Sequence, residues 1–112
     1  MAPVYLVDDS AADRKIAEIV FARSCPDRPL ELFAAGEALL ARLRGVVQNG
    51  GAEPSHLFLD LNMPGMNGFE LLERIRRMDG WAEEPWIGVL SSSDNPRDRA
   101  RAASLGANEY LP

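Results

Sequence analysis

The chain has little of what builds cross-linked, thiolate-metal or nucleic-acid-binding domains. Its 112 residues include one cysteine and one histidine, and 17 aspartates and glutamates outweigh 12 lysines and arginines, for a net charge of −5. A single cysteine, Cys25, excludes a disulfide within the chain and favours a reducing cytoplasm. The acidic balance leaves no basic face to neutralise nucleic-acid phosphates, so we expect no nucleic acid to bind this domain.

Long hydrophobic runs are also missing. No apolar stretch approaches the roughly 20 residues that cross a bilayer, and no basic segment followed by an apolar one marks a secretory signal at the N-terminus. We therefore expect no membrane contact. The composition, with 46% hydrophobic and 26% charged residues, is ordinary for a globular chain of one modest core. With no internal repeat or linker in sight, we treat residues 1–112 as one domain.

Short apolar runs alternate along the chain with segments of helical pattern. The predicted strands are 3–7, 30–34, 57–61, 86–90 and 109–112, and the predicted helices are 13–22, 36 to the break at 48–51, 69–78 and 97–105. This alternation predicts βαβ units, and therefore an α/β doubly wound parallel sheet with helices on both faces. In the first helix, Ile16, Ile19 and Val20 recur at helical spacing, which predicts an amphipathic helix.

Polar side chains stand where three of the predicted strands end. Asp8 and Asp9 follow the first strand, Asp60 ends the third, and Ser91 follows the fourth. Ligands of open α/β sheets bind outside the carboxyl ends of the strands, where these side chains converge. Neighbouring carboxylates repel one another unless a cation intervenes, and oxygen ligands suit Mg²⁺. We interpret Asp60 as a phosphate-accepting nucleophile beside a Mg²⁺ site, with the backbone carbonyl of Asn62 facing the same point.

At this point the sequence resembles a known family, the receiver domain of two-component response regulators. The matching segments are Val7-Asp8-Asp9-Ser10, the block LDLNMPGMNGFELL from Leu59 to Leu72, Leu90-Ser91-Ser92, and Gly106-Ala107-Asn108-Glu109-Tyr110. Together they cover nearly the whole chain, and the middle block is highly specific. The resemblance implies a flavodoxin-like fold, with five parallel strands in the order 2-1-3-4-5 and five helices.

The resemblance also implies roles for individual residues. Asp60 would take a phosphoryl group from the phosphohistidine of a sensor histidine kinase or phosphotransfer protein. The implied Mg²⁺ ligands are Asp8, Asp9, Asp60 and the backbone carbonyl of Asn62. Ser91 would contact the phosphoryl group, and Tyr110 matches the aromatic switch position of the family. The implied output is a change of contacts with a downstream protein, so we expect a signalling domain rather than a turnover enzyme.

The sequence departs from the family at its C-terminal end. The family commonly has Lys-Pro just after the segment matching Tyr110-Leu111-Pro112, whereas the one lysine here is Lys15, on the first helix. We therefore expect a truncated receiver, with strand five incomplete, the fifth helix absent and phosphorylation impaired. One sheet face would then be exposed, and a homodimer could form through it.

Other interpretations of the same residues stay open. A pseudo-receiver, the same fold acting as a phosphorylation-independent protein-binding module, is the main alternative. A phosphatase with an aspartyl nucleophile is less favoured, because such enzymes resembling haloacid dehalogenases carry a second Asp where this chain has Asn62. Tyr110 could equally be plain edge packing. We interpret Asp13 as a solvated first-turn acid, assign no catalytic role to His56, and expect Arg97, Arg99 and Arg101 to form a solvated helix face.

Overall fold

The computed structural model describes residues 2–63, 65–91 and 94–111, and within them five strands and four helices alternate. The strands are β1 (Val4–Val7), β2 (Leu30–Phe33), β3 (His56–Asp60), β4 (Trp86–Leu90) and β5 (Glu109–Leu111), and the helices are α1 (Ala11–Ser24), α2 (Gly36–Asn49), α3 (Gly68–Arg77) and α4 (Pro96–Ser104). Every predicted element is present in the predicted order. Pro64, Ser92, Ser93 and the predicted last strand residue, Pro112, lie outside the described residues.

All five strands are parallel and form one sheet in the order β2-β1-β3-β4-β5. The predicted fold class and strand order are therefore confirmed. The register sets Val7 opposite Leu59, Asp60 opposite Leu90, and Leu90 opposite Leu111. Because neighbouring strands end at nearly the same level, the residues that follow them gather at one edge of the sheet.

One face of the sheet carries the core. Its central side chains are fully buried against α2 and α3, whose inner residues alternate at helical spacing; the set comprises Tyr5, Val7, Leu57, Leu59, Ile87 and Val89 on the strands, Leu39, Leu40 and Leu43 on α2, and Leu71, Leu72 and Ile75 on α3. Strands buried on this face and flanked by helices explain the near-continuous apolar runs of the sequence.

The opposite face of the sheet is covered by α1, and the exposure of this helix differs from what its apolar spacing suggests. The predicted helix forms, and Ser10 caps it by accepting a hydrogen bond from the backbone N–H of Asp13. No residue of α1 is buried, however, and its apolar stripe of Ile16, Ile19 and Val20 is 59%, 45% and 53% exposed. Within the described residues no second helix reaches this stripe, so a pattern that predicts an amphipathic helix does not produce a buried one.

Candidate functional site

Three carboxylates meet at the carboxyl edge of the sheet. Asp8 lies just past β1 and Asp60 is the last residue of β3, two strands that are direct neighbours. One oxygen each of Asp8, Asp9 and Asp60 lies within 4.8 Å of the others. Asp8 is buried, Asp60 is half-buried and Asp9 is exposed. The fold thus brings together the three acids that the sequence predicts to meet.

The end of β1 is held by three hydrogen bonds. The backbone N–H of Asp8 donates to the carbonyl of Phe33 at 3.0 Å, which continues the ladder toward β2. The Asp8 carboxylate accepts a hydrogen bond from the N–H of Ser10 at 2.9 Å, and the Asp8 carbonyl accepts one from Nη1 of Arg14 at 2.7 Å. The turn that presents Asp9 is therefore held at the Asp8 carbonyl, before Asp9, and at the Ser10 N–H, after it.

Asp60 sits in surroundings that disfavour its charge. Burial raises the pKa of its carboxyl group most strongly, and the negative charges of Asp8, Asp9 and Asp13 raise it further. A hydrogen bond that Asp60 Oδ1 accepts from the backbone N–H of Asn62, at 3.1 Å, lowers the pKa in part. A cation placed among these carboxylates would relieve the repulsion that they exert on one another.

Asp8 and Asp60 open onto a depression of ≈ 370 Å³ in which other polar groups take part. Its walls combine acidic, polar and apolar side chains, namely Asp8, Asp13, Asp60, Asn62, Leu90, Ser91 and Leu111. Ser91 is buried, with 8% of its surface exposed, and its backbone N–H donates to the carbonyl of Leu111 at 2.9 Å. The space exceeds that of several water molecules, so a hydrated ion and a phosphoryl-sized group both fit.

The donor set fits a hard divalent cation. Its side-chain ligands are carboxylate oxygens, which Mg²⁺ and Mn²⁺ prefer over nitrogen and sulfur. Within the part of the chain that the structure describes, no basic side chain forms an ion pair with Asp60. Lys15, the one lysine, is exposed and pairs with Glu18 at 3.3 Å.

Tyr110 lies beside this depression rather than in its wall. It is the middle residue of β5, opposite Val89, and is 5% exposed. The guanidinium of Arg99 lies over its ring, 4.9 Å from the centroid, and Arg101 lies over the ring of Phe69 at 4.2 Å. Arg99 and Arg101, two of the three arginines expected to form a solvated face, therefore also attach α4 to aromatic side chains below it.

Two residues of the site were not identified from the sequence. Asp13 is an exposed first-turn acid, as the sequence predicts, and it also lines the depression and raises the pKa of Asp60. No sequence pattern singles out Arg14, whose Nη1 donates a hydrogen bond to the Asp8 carbonyl. Both lie about one helical turn beyond the acid pair, at the start of a helix that rises from the same edge, and this position was the available signal. His56 opens β3, away from the carboxyl edge.

The family model of the response regulator receiver domain matches residues 4–112. The chain belongs to the response regulator receiver family. Rcp1, a response regulator of Synechocystis sp., is 33% identical over 110 residues, which cover 96% of this chain and 74% of that protein. The two-component response regulator ORR1 of Oryza sativa subsp. japonica is 30% identical over 110 residues, covering 96% of this chain and 47% of that protein. The receiver domain thus spans about half the length of the first curated relatives it matches.

Solved structures of similar proteins have the same fold. The Mn(2+)-bound form of Rcp1 aligns with a TM-score of 0.84 at 29% identity, covering 99% of this chain and 80% of that one. The phosphorylated cyanobacterial phytochrome response regulator RcpA aligns with a TM-score of 0.84 at 26% identity, covering 98% and 79%. CheY4 of Vibrio cholerae aligns with a TM-score of 0.83 at 27% identity, covering 99% of this chain and 85% of that one.

The family membership places the chain in two-component signalling, in which receiver domains work with histidine kinases. Among the residues that the structure describes, no helix is both long and apolar enough to cross a membrane.

Proposed function

We propose that this receiver domain accepts a phosphoryl group on Asp60 from the phosphohistidine of a sensor histidine kinase or phosphotransfer protein, in a Mg²⁺-dependent reaction. The observation that carries the proposal is the convergence of Asp8, Asp9 and Asp60, with an oxygen of each within 4.8 Å of the others. Three carboxylates so close together, one of them half-buried with a raised pKa, are costly to keep without a cation.

In the proposed reaction, a phosphoryl group moves from a nitrogen of the donor imidazole to a carboxylate oxygen of Asp60. A carboxylate oxygen of Asp60 attacks the phosphorus, and the P–N bond to the donor imidazole breaks. The imidazole keeps the electron pair of that bond and takes up a proton, while Asp60 becomes an acyl phosphate. Attack of water on the phosphorus later releases inorganic phosphate and restores the carboxylate. The domain carries its own phosphoryl group through this cycle, so we propose a signalling role rather than that of a turnover enzyme.

The neighbouring residues have separate tasks in this proposal. Asp9 and Asp60 would hold Mg²⁺ directly, Asp8 directly or through water, and Asn62 through its backbone carbonyl. Bound there, the cation would neutralise the negative charge that otherwise opposes a phosphoryl donor. Ser91, buried in the wall of the depression, would donate a hydrogen bond from its hydroxyl to a phosphoryl oxygen.

Phosphorylation would change the surface formed by α4 and β5, which a partner protein would contact. The phosphoryl group adds about −1.5 to −2 charges next to Ser91, and Tyr110 lies one strand position before Leu111, which lines the same depression. We propose Tyr110 as the aromatic switch residue and a downstream protein as the partner that detects the change. A cytoplasmic location is part of the proposal, in keeping with the single cysteine of the sequence.

The apolar surface around α1 supports a further part of the proposal, self-association. Ile16, Ile19 and Val20 are about half-exposed. Val20 also lines a groove of ≈ 210 Å³ whose walls are otherwise Val4, Leu6, Ala17, Phe21, Leu30, Phe58 and Leu90. Contiguous apolar surface of this kind favours contact with another protein surface, and we propose a second copy of this chain.

The phosphoacceptor can be tested with a small phosphoryl donor. The chain is incubated with phosphoramidate with and without Mg²⁺, and intact mass spectrometry measures the fraction that gains a phosphoryl group. We expect slow, Mg²⁺-dependent modification that Asp60→Asn abolishes, because the carboxylate nucleophile is gone. Asp79→Asn, a change of an exposed acid outside the site, should leave the modified fraction unchanged.

Two results would contradict the proposal. Modification that persists in Asp60→Asn would move the acceptor elsewhere. A wild-type chain that binds Mg²⁺ but never gains the phosphoryl group would favour the phosphorylation-independent binding module instead.

A further inference from the structure

The carbonyl of Asp8 lies just past the end of the strand ladder. The register between β1 and β3 ends at Val7 and Leu59. Toward β2 the register ends at Val7 and Phe33, and beyond it the backbone N–H of Asp8 donates to the Phe33 carbonyl. Asp8 is only 8% exposed, and buried carbonyl groups in folded proteins nearly always accept a hydrogen bond. The donor must therefore come from outside the strand ladder.

Arg14 supplies that donor. Its half-buried guanidinium reaches back from the first turns of α1, and Nη1 lies 2.7 Å from the Asp8 carbonyl oxygen. Hydrogen bonds from charged donors are shorter and stronger than neutral ones. Since the same carbonyl belongs to the peptide bond that joins Asp8 to Asp9, the guanidinium fixes the plane from which the Asp9 side chain projects.

We propose that Arg14 is a positioning residue for the cation site, which holds the peptide between Asp8 and Asp9 so that both carboxylates face the bound Mg²⁺. The inference rests on the proposed function only in taking these acids as the cation site. Arg14 has no place among the ligands, and its effect reaches the metal through the backbone. Outer partners of this kind typically change metal affinity by about 10- to 100-fold when they are removed.

Electrostatics alone predicts the opposite effect, which makes the inference testable. A guanidinium beside a cation site repels the incoming cation. If Arg14 acted only through its charge, its neutralisation would tighten Mg²⁺ binding. If it positions Asp9, its removal frees the peptide to rotate and weakens binding in spite of the more negative surroundings.

The experiment measures the Mg²⁺ dissociation constant of the unphosphorylated chain by calorimetry and by the shift of backbone amide signals in NMR. We expect Arg14→Gln to raise the dissociation constant about tenfold, and Arg14→Lys, which keeps a charged donor, to recover part of the loss. Arg28→Gln is the matched control. Arg28 is also half-buried, and its Nη1 donates to Ser55 Oγ at 3.2 Å at the opposite edge of the sheet. It should leave the dissociation constant unchanged.

The outcomes separate the inference from the proposed function. An unchanged or lower dissociation constant in Arg14→Gln, with normal binding by the wild type, would overturn the positioning role and leave the phosphoacceptor untouched. A wild-type chain that binds no Mg²⁺ would contradict both. If Arg14→Gln does not fold, Arg14→Lys decides alone: weaker binding than wild type supports the inference, and equal binding rejects it.

Discussion

At the scale of the residue, Asp60 shows a conflict between function and stability. Its carboxyl group is half-buried among other acids, and burial together with their charges raises its pKa. The folded state therefore keeps a proton on Asp60 over a range of pH in which the unfolded chain has already lost it. Across that range stability falls as the pH rises, and the penalty is complete above the raised pKa of the folded state. Functional carboxylates often carry such a cost.

Because ionisation of Asp60 lowers the stability of the folded state, we can predict the effect of Asp60→Asn in the absence of divalent cations. At neutral pH the variant should be more stable than the wild type, by on the order of 1 kcal/mol, because it removes the buried charge while its side-chain oxygen still accepts the Asn62 N–H. The gain should shrink toward zero as the pH falls below the ordinary carboxyl pKa. Urea unfolding at a series of pH values measures it, and a gain that is independent of pH, or a loss at pH 7, would reject this account of the site.

At the scale of the element, the contact between β3 and α3 sets the position of Asp60. The N–H of Gly68, the first residue of α3, donates to the Leu61 carbonyl at 3.0 Å. A Cβ at Gly68 would lie 2.6 Å from Leu61 Cα and 2.9 Å from the Asp60 carbonyl oxygen. These are backbone atoms, which cannot rotate away, so the helix can approach the strand this closely only with glycine at that position.

Gly68→Ala should therefore destabilise the domain by about 1–3 kcal/mol and weaken Mg²⁺ binding, because the end of β3 must shift. Gly45→Ala provides the control. Gly45 lies inside α2, and a Cβ there meets nothing within 4 Å, so the same substitution should stabilise by about 0.5–1 kcal/mol. Denaturant unfolding of both variants tests the pair. Equal effects at the two positions would show that helix propensity, rather than the contact with Asp60, governs Gly68.

Elements of this kind were largely predictable from the sequence, and contacts between them were not. Apolar runs ending in acids sufficed to predict β1, β3 and the meeting of Asp8, Asp9 and Asp60, because parallel strands end at a common edge. The hydrogen bond from Arg14 to the Asp8 carbonyl depends on how α1 leaves that edge, which periodicity does not encode. Likewise, the stripe of Ile16, Ile19 and Val20 predicts a helix, while its exposure depends on what else packs there.

At the scale of the whole molecule, the two faces of the sheet differ in their cover. The face toward α2 and α3 holds a closed core. The face toward α1 presents apolar side chains of both the helix and the strands around a groove of ≈ 210 Å³. Removing such surface from water stabilises by roughly 25 cal/mol per Å². The proposed association through this face would therefore be favoured by burial and opposed by the net charge of −5.

Val20→Gln tests whether the burial of apolar surface outweighs the repulsion between two negatively charged copies. Val20 is 53% exposed and lines the groove, whereas Val47 on α2 is 51% exposed on another part of the surface. The two substitutions are thus alike in chemistry and exposure and differ in location. We expect the wild type to self-associate with rising concentration in sedimentation velocity, and Val20→Gln to raise the dissociation constant roughly tenfold or more, since a symmetric interface loses the side chain from both copies. Val47→Gln should match the wild type.

Added salt screens the like charges of two copies and should strengthen association through the α1 face. A wild type that stays monomeric at high concentration and high salt would show that α1 alone covers this face well enough.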